Sequence, residues 1–376
     1  MKLPNEKHPL IKDKLLAYYV GALHLIIIAL VMALFVSWYI QIYQPDVSSW
    51  LPKREEMSEG EKKWAFEKLK VEEKKKAEMA SFWQANDIQQ VGDAKQKALI
   101  EYGKELITHT AKYLGPKGSI MQITNGMNCQ NCHLEAGTKI WGNNYGSVFS
   151  TYPKYRARSG TEEDIFKRVN DCIERSLNGK SLSKESPEMQ AITSYIEFVG
   201  KNVKKGEKAK GSGIFELPYL ERAIDPAKGK ILYEEKCQSC HQANGEGLLA
   251  DDKIEYIYPP LWGKNAYNFG AGLYRMSRFA GYIKYNMPQG TAYPNAQLSD
   301  EQAWDLAAFV NSQPHPSKDL SKDWPKIEEK PIDHPFAPFT DNFSQEQHKL
   351  GPFKPIAAEK KKQKEAKEKA AKAKSS

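Results

Sequence analysis

Cysteine is scarce in this sequence, and net charge is almost missing from its centre. Five cysteines among 376 residues are too few for a disulfide-stapled scaffold. The chain carries a formal net charge of +8, yet residues 81–357 are close to neutral because most of the excess lies in the terminal segments. A nucleic-acid-binding domain would carry positive charge on its own folded surface. The near-neutral centre therefore argues against nucleic acid as a partner.

Charged side chains are also absent from residues 15–42, and this run predicts one transmembrane helix. At 1.5 Å per residue the run spans roughly 40 Å, more than the ~30 Å hydrocarbon core of a bilayer. Four lysines precede it, and the next basic residue after it is Lys53. The positive-inside rule therefore places residues 1–14 in the cytoplasm and the rest of the chain on the periplasmic side of the inner membrane. The alternative, a cleaved signal peptide, usually has a shorter apolar run and an Ala-x-Ala site.

Three further segments have biased compositions. Residues 43–95 are rich in Lys, Glu and Ala and predict a charged helical stalk. Residues 317–357 contain six prolines and predict an extended segment with little regular structure, here named the Pro-rich strap. Residues 358–376 hold eight Lys and three Glu and predict a disordered tail.

The sequence contains two C-x-x-C-H motifs, the signal for covalent haem c. Two thiols at this spacing reach both vinyl groups of one porphyrin, and the adjacent histidine falls beneath the iron as its proximal ligand. A zinc site would need four ligands and no histidine directly after each cysteine pair. The motifs predict two covalently bound haem c groups, held by Cys129, Cys132, His133, Cys237, Cys240 and His241.

The helical patterns predict an all-α fold with two tandem cytochrome c domains, residues 96–203 and 204–316, after the transmembrane helix. Each motif is preceded by a helical pattern and followed by a terminal one. Ser186 and Pro187 are typical of the N-cap and first position of a closing helix, and Ser299 begins a capping box in the second domain. Two packed terminal helices around one haem describe the mono-haem cytochrome c fold.

The two domains differ in their candidate sixth ligands. Met287 lies 46 residues after His241 and is followed by a proline, which favours it as the distal ligand over Met276. The first domain has no Met-Pro pair there, but it has the fifth cysteine, Cys172. Thr161 is a candidate N-cap for the helix around this cysteine.

Arg168, Cys172 and Ser176 are spaced i, i+4, i+8 and are expected to lie on one helical face. A basic residue beside a thiol favours the thiolate, which is both an iron ligand and a nucleophile. From the pattern alone, a buried free cysteine with Met189 or water as the sixth ligand stays open.

Motifs in both halves resemble those of the di-haem thiosulfate dehydrogenases that form tetrathionate, relatives of the Sox-pathway cytochromes. The resemblance covers about residues 100–316 and rests on segments 129–137, 152–158, 168–180, 258–263, 286–288 and 303–312.

The resemblance implies that the first haem has His/Cys ligation through His133 and Cys172 and is the active site. It implies that Arg158, Arg168 and Ser176 bind substrate, whereas Arg156 fits a propionate or structural role better. The second haem, with ligands His241 and Met287, would be the electron exit. Some family members carry a lysine just before this methionine, where this chain has Asn286.

The expected reaction joins two thiosulfates into tetrathionate and passes two electrons to an electron-accepting cytochrome c or a terminal oxidase. The reverse reaction would use the same site. The alternative function is a membrane-tethered di-haem relay to a terminal oxidase, without a sulfur substrate. Such a relay needs neither a thiolate nor paired arginines at its first haem.

Overall fold

The computed structural model describes residues 9–43 and 57–375. The chain forms two compact units, Met1–Glu72 and Glu73–Ser376. Both C-x-x-C-H motifs lie in the second unit. The described residues are mainly helical, and this confirms the predicted all-α class.

The first unit contains one long apolar helix. Helix α1 spans Pro9–Tyr43, and its part from Tyr18 to Tyr43 is long and apolar enough to cross a membrane, with none of it buried. A signal sequence near the N-terminus would pass the same test. Helix α2, Glu59–Ala80, is rich in Lys and Glu and buries no residue. Residues 1–8 of the predicted cytoplasmic segment and residues 44–56 of the predicted stalk lie outside the described residues.

Short helices and two longer ones surround the first motif. The closing helix begins as predicted, because the Ser186 hydroxyl accepts from the backbone N–H of Met189 and a proline follows it. The helices are α3 (Ala94–Thr108), α4 (Thr110–Leu114), α5 (Leu134–Gly137, a single turn), α6 (Val148–Thr151), α7 (Ile165–Arg175) and α8 (Pro187–Gly200).

The second motif lies within a similar set. The predicted capping box is present, with the Ser299 hydroxyl accepting from the backbone of Gln302 and the Gln302 side chain accepting from the backbone of Ser299. The helices are α9 (Pro226–Lys236), α10 (Gln238–His241), α11 (Met276–Asn286), α12 (Asp300–Val310), α13 (Gln345–Leu350) and α14 (Phe353–Ser375). Short 3₁₀ turns occur at Ile88–Gln90, Cys129–Asn131, Gly272–Tyr274 and Ile327–Glu329.

The first and last helices of each domain cross at a glycine. A Cβ on Gly103 of α3 would lie 2.0 Å from the carbonyl oxygen of Ala191 in α8. A Cβ on Gly229 of α9 would lie 2.0 Å from the carbonyl oxygen of Asp305 in α12. The missing side chains let the helix backbones approach closely, so the predicted pairing of terminal helices is present in both domains.

Each domain has its own apolar core. Met189 of α8 lies fully buried in the first core, to which Tyr195 of the same helix also belongs. Met276 lies fully buried in the second core, where Trp304 of α12 is also fully buried. Met189 and Met276, the alternative candidates for sixth haem ligand, therefore both fill core positions.

Three two-stranded antiparallel ribbons complete the described part of the fold. The strands are β1 (Gly142–Asn144), β2 (Lys154–Arg156), β3 (Thr161–Glu163), β4 (Gly213–Ile214), β5 (Leu248–Leu249) and β6 (Tyr256–Tyr258). Strand β1 pairs with β4, β2 with β3, and β5 with β6. The turn between β2 and β3 carries Arg158 to the edge of the first cavity described below.

The tail is helical in the structure, so the expectation of disorder over residues 358–376 is wrong for its described part. Helix α14 begins at Phe353, which is buried together with Ile356 and anchors the first turn. Pairs such as Lys361–Glu365, 3.9 Å apart, continue along the exposed helix. Composition alone could not show that a buried anchor precedes the charged repeat.

Candidate active site and haem sites

The structure brings the predicted residues of the first domain to one cavity of about 290 Å³. Every substrate-site candidate lines this cavity together with one motif thiol and the motif histidine: Arg158, Arg168, Cys172, Ser176, Cys132 and His133. The other motif thiol, Cys129, packs against the neighbouring core, and its backbone N–H donates to the Thr110 hydroxyl at 2.9 Å.

Helix α7 presents Arg168, Cys172 and the following Ser176 to the cavity while Ile173 is buried on the domain side. The helix starts later than expected. Asp164 is its N-cap, and its carboxylate accepts from the backbone N–H of Lys167 at 2.8 Å. Thr161 is not the cap, because it pairs with Arg156 at the edge of the β2–β3 ribbon.

Both motif histidines are oriented for a metal by a backbone carbonyl. The Nδ1 atom of His133 lies 2.5 Å from the carbonyl oxygen of Asn143, and that of His241 lies 2.9 Å from the carbonyl oxygen of Pro259. Donation from Nδ1 fixes the tautomer and leaves Nε2 with a lone pair for iron. Burial lowers the pKa of His133 to about 4, which keeps this imidazole neutral.

The second cavity, of about 540 Å³, is larger and more apolar. Cys237, Cys240 and His241 line it, and Met287 lies on the same cavity. Met276, the competing methionine, does not line it and lies in the core instead.

Both motif sites fit a covalently attached haem c: each has two thiols and an oriented imidazole, with Cys129 lying outside the lining of the first cavity. A haem needs two thiols, an oriented imidazole and an apolar slot with polar groups where its propionates emerge. Buried polar atoms without a hydrogen-bond partner lie on both cavities: Arg175 Nε and Glu163 Oε2 on the first, and Asn286 Oδ1 and Thr291 Oγ1 on the second.

Six arginines line the first cavity, and sequence reasoning found only three of them. It missed Arg175, Arg275 and Arg278. Arg175 directly precedes Ser176, so its place beside the predicted face was a usable signal. The other two come from α11 and the residue before it, and only the packing of one domain on the other brings them to this cavity.

Most of these guanidinium groups have acidic partners. Arg156 Nε lies 3.8 Å from Glu163 Oε2, and Arg278 is 3.1 Å from Glu216. The remaining two carboxylates belong to the Pro-rich strap. Asp323 binds Arg175, and Asp333 binds Arg275 at 2.7 Å.

The charges of the cavity affect each other strongly. Electrostatic interaction with the Cys172 side chain is the main reason that the pKa of Arg168 is raised above its ordinary value. Burial is the main reason that the pKa of Arg158 is lowered, and the positive charge of Arg175 adds to this effect. A cavity that gathers buried cations around a thiol is suited to a small anion of high charge.

The fold and the two cavities define a di-haem c-type cytochrome, and the comparisons with known proteins agree. Residues 120–204 match the family model described as SoxA/TsdA, cytochrome c domain, and residues 226–314 match the model described as cytochrome c.

Thiosulfate dehydrogenases are similar to this chain along most of their length. The protein from Stutzerimonas stutzeri is 35% identical over 58% of this chain and 68% of its own. The protein from Allochromatium vinosum is 39% identical over 52% of this chain and 72% of its own length. The protein from Psychrobacter arcticus is 36% identical over 62% of this chain and 69% of its own length. This chain belongs to the thiosulfate dehydrogenase family.

A solved structure is also similar, the thiosulfate dehydrogenase (TsdBA) of Marichromatium purpuratum in its "as isolated" form. It has a TM-score of 0.57 and 28% identity, and the match covers 62% of this chain and 49% of that chain. The chain is therefore an oxidoreductase of the thiosulfate dehydrogenase type with two covalent haem c groups, as the sequence predicted.

Proposed function

We propose that this protein oxidises two thiosulfate ions to one tetrathionate and releases two electrons. The observation that carries the proposal is the first cavity, where Cys172, Arg158 and Arg168 lie together with the motif histidine His133. In the reaction a sulfur–sulfur bond forms between the outer sulfurs of the two thiosulfates. The two dianions carry four negative charges, of which two remain on tetrathionate and two leave as electrons. When bound, each haem c accepts one electron, so the pair is divided between two irons.

The cysteine and the arginines have distinct parts in this proposal. In this proposal Cys172, as a thiolate, would hold the first iron together with His133. The same sulfur would form a bond to the outer sulfur of thiosulfate as two electrons pass to the two haems. Attack by a second thiosulfate on that sulfur would release tetrathionate and restore the thiolate. Arg158, Arg168 and Ser176 donate hydrogen bonds to the sulfonate oxygens and offset the repulsion between two dianions.

Electrons would leave through the second site. His241 and Met287 are the ligands proposed for it, and a methionine ligand favours a high reduction potential. From there the electrons pass to an electron-accepting cytochrome c or a terminal oxidase. We also propose that α1 anchors the chain in the inner membrane, with both cytochrome c domains on the periplasmic side.

The test compares wild-type holoprotein with Cys172→Ala. Thiosulfate-dependent reduction of the haems is expected to fall by about two orders of magnitude or more in the variant. Reduction by dithionite serves as the control, since it needs no substrate site and should reach the same end point in both proteins. Fast reduction by thiosulfate in the variant would remove Cys172 from the mechanism.

The same assay separates the enzyme from a relay. A relay without a sulfur substrate would accept electrons from a protein donor, and thiosulfate would leave its haems oxidised. The arginines that lie together with Cys172 in the first cavity favour the enzyme, because a relay needs neither a thiolate nor paired arginines there.

A further inference from the structure

The Pro-rich strap inserts a carboxylate into the arginine cavity. Asp323 Oδ1 lies 2.7 Å from Arg175 Nη2, and its Oδ2 lies 2.9 Å from Arg175 Nη1. The Oδ2 atom is also 3.7 Å from Arg158 Nη1. The Asp323 side chain is only 7% exposed, so this bidentate ion pair is shielded from water. It therefore contributes more stabilising free energy than an ion pair on the surface.

The next strap residue holds the second guanidinium. The ring of Trp324 lies 4.8 Å from Arg158 Cζ, which is cation–π distance. The backbone N–H of Trp324 donates to the carbonyl oxygen of Arg158 at 2.6 Å. Trp324 is 6% exposed and has φ = 55°, a costly conformation for a bulky residue, so the surrounding structure must fix it.

Two glycines make room for this arrangement. A Cβ on Gly270 would lie 2.5 Å from Arg175 Nη1, and the carbonyl oxygen of Gly270 accepts a hydrogen bond from Arg158 Nη1. A Cβ on Gly160 would lie 2.5 Å from the ring of Pro325, which follows Trp324. The strap is therefore packed directly against the cavity wall.

The contacts leave donors for a further anion. Arg175 uses both terminal nitrogens on Asp323, whereas its Nε is buried and has no partner. A long arginine side chain costs up to ~2 kcal/mol of rotamer entropy when it is fixed. Here the strap supplies that order before any substrate binds, which lowers the cost of binding.

We propose that Asp323 and Trp324 are positioning residues for a dianionic sulfur oxyanion. They hold Arg158 and Arg175 so that the unused N–H groups face the first cavity, and Arg175 becomes a further substrate-binding residue. The inference deepens the proposed function and rests on it for the identity of the anion. The family models end at residues 204 and 314, before the strap begins, so neither match assigns these roles.

The first experiment measures KM and kcat for thiosulfate in holoprotein carrying Asp323→Asn, Asp323→Glu or Trp324→Leu. Asp323→Asn loses a charge-assisted pair and Trp324→Leu a cation–π contact. A loss of about 1.4 kcal/mol in either variant predicts a roughly tenfold higher KM, with kcat within about twofold. The charge-conserving Asp323→Glu is expected to recover most of the effect. Asp319→Asn is the matched control, since it removes an exposed carboxylate of the same strap.

A second measurement does not need turnover. Sulfate, an unreactive dianion, is titrated into oxidised holoprotein while its thermal stabilisation is followed, and the apparent Kd is expected to rise about tenfold in Asp323→Asn. Equal sulfate affinity in Asp323→Asn and Asp319→Asn would overturn the positioning role. Wild-type protein that binds sulfate but does not reduce its haems with thiosulfate would contradict the proposed function and leave the positioning role supported.

Discussion

At the residue scale, burial separates two methionines of the same chemistry, because Met287 is partly buried and Met276 is fully buried. Met287 lines the second cavity together with the motif thiols, whereas Met276 is fully buried in the second core and does not line that cavity. Only a side chain that reaches the cavity is able to bind an iron there. A substitution of Met287 is therefore expected to remove an iron ligand, whereas a substitution of Met276 affects only core packing.

We predict that Met287→His lowers the reduction potential of the second haem by on the order of 100 mV, because the axial ligand controls much of a haem's potential range. Met276→Leu is the control and should leave the potential and the visible spectrum unchanged, since a swap of similar volume costs less than ~1.5 kcal/mol of stability. Spectroelectrochemical titration of both variants checks this. A larger shift in Met276→Leu than in Met287→His would reverse the assignment.

His334 is a second residue whose burial has a measurable consequence. It is 1% exposed, neither ring nitrogen has a hydrogen-bond partner, and its ring lies 4.2 Å from that of Trp324. Burial lowers its pKa from 6.5 to about 3. The charged groups that act on it are Arg158, Lys330 and Arg275, which lower the pKa further, and Asp333, which raises it.

The sign of the pH effect follows from this direction. In the unfolded chain His334 binds a proton near pH 6.5, whereas in the folded chain it does so only near pH 3. His334 therefore lowers the free energy of unfolding as the pH falls from about 6.5 to about 3. At pH 5 the cost is about 2 kcal/mol. His334→Phe should therefore narrow the difference in Tm between pH 7 and pH 5. An unchanged difference would contradict a buried neutral imidazole.

The residue scale also shows where sequence reasoning succeeds. The C-x-x-C-H motifs and the helical face of Cys172 are local patterns, so their spacing predicted which side chains meet. The pair of Arg175 with Asp323 joins residues 148 positions apart, and no periodicity encodes it. Arg275 reaches the cavity only because the second domain packs there.

At the element scale, close crossings of the terminal helices hold each domain together. Gly103 in α3 admits the backbone of α8 because it lacks a side chain. Helix boundaries were predictable where a capping residue announces them, as at Ser186 and Ser299. The tail helix was not, because its order depends on buried Phe353 and Ile356 at its first turn.

We predict that Gly103→Ala destabilises the first domain by about 2 kcal/mol or more, since its methyl group would overlap the carbonyl oxygen of Ala191. Gly92→Ala is the matched control, because its Cβ would meet no atom within 4 Å. Thermal unfolding of the two holoproteins checks the difference. Equal Tm values for the Gly103→Ala and Gly92→Ala variants would contradict a close crossing of α3 and α8 at Gly103.

At the scale of the whole molecule, the charge of the chain and the charge of its active site have different origins. The net charge of +8 comes mostly from the terminal segments, whereas the first cavity concentrates arginines inside a nearly neutral body. Four haem propionates would make that body more acidic. Binding of a dianion then depends on the cavity itself and not on long-range attraction.

The anchor is a prediction about the whole molecule as well. Full-length protein should remain in the membrane fraction after an alkaline wash, because a predominantly apolar span of 26 residues, Tyr18–Tyr43, leaves the bilayer at high cost. Ile27→Lys combined with Leu30→Asp should move it to the soluble fraction. Wild-type protein that is soluble and starts after residue 43 by mass spectrometry would instead identify a cleaved signal sequence.

The central claim is that thiosulfate oxidation to tetrathionate takes place on this chain and that its two haems receive the electrons. The most direct measurement mixes oxidised wild-type holoprotein with thiosulfate, without oxygen or an acceptor, and counts both products. The account predicts one tetrathionate for every two haems reduced. Haems that stay oxidised, or that are reduced without tetrathionate, would contradict it.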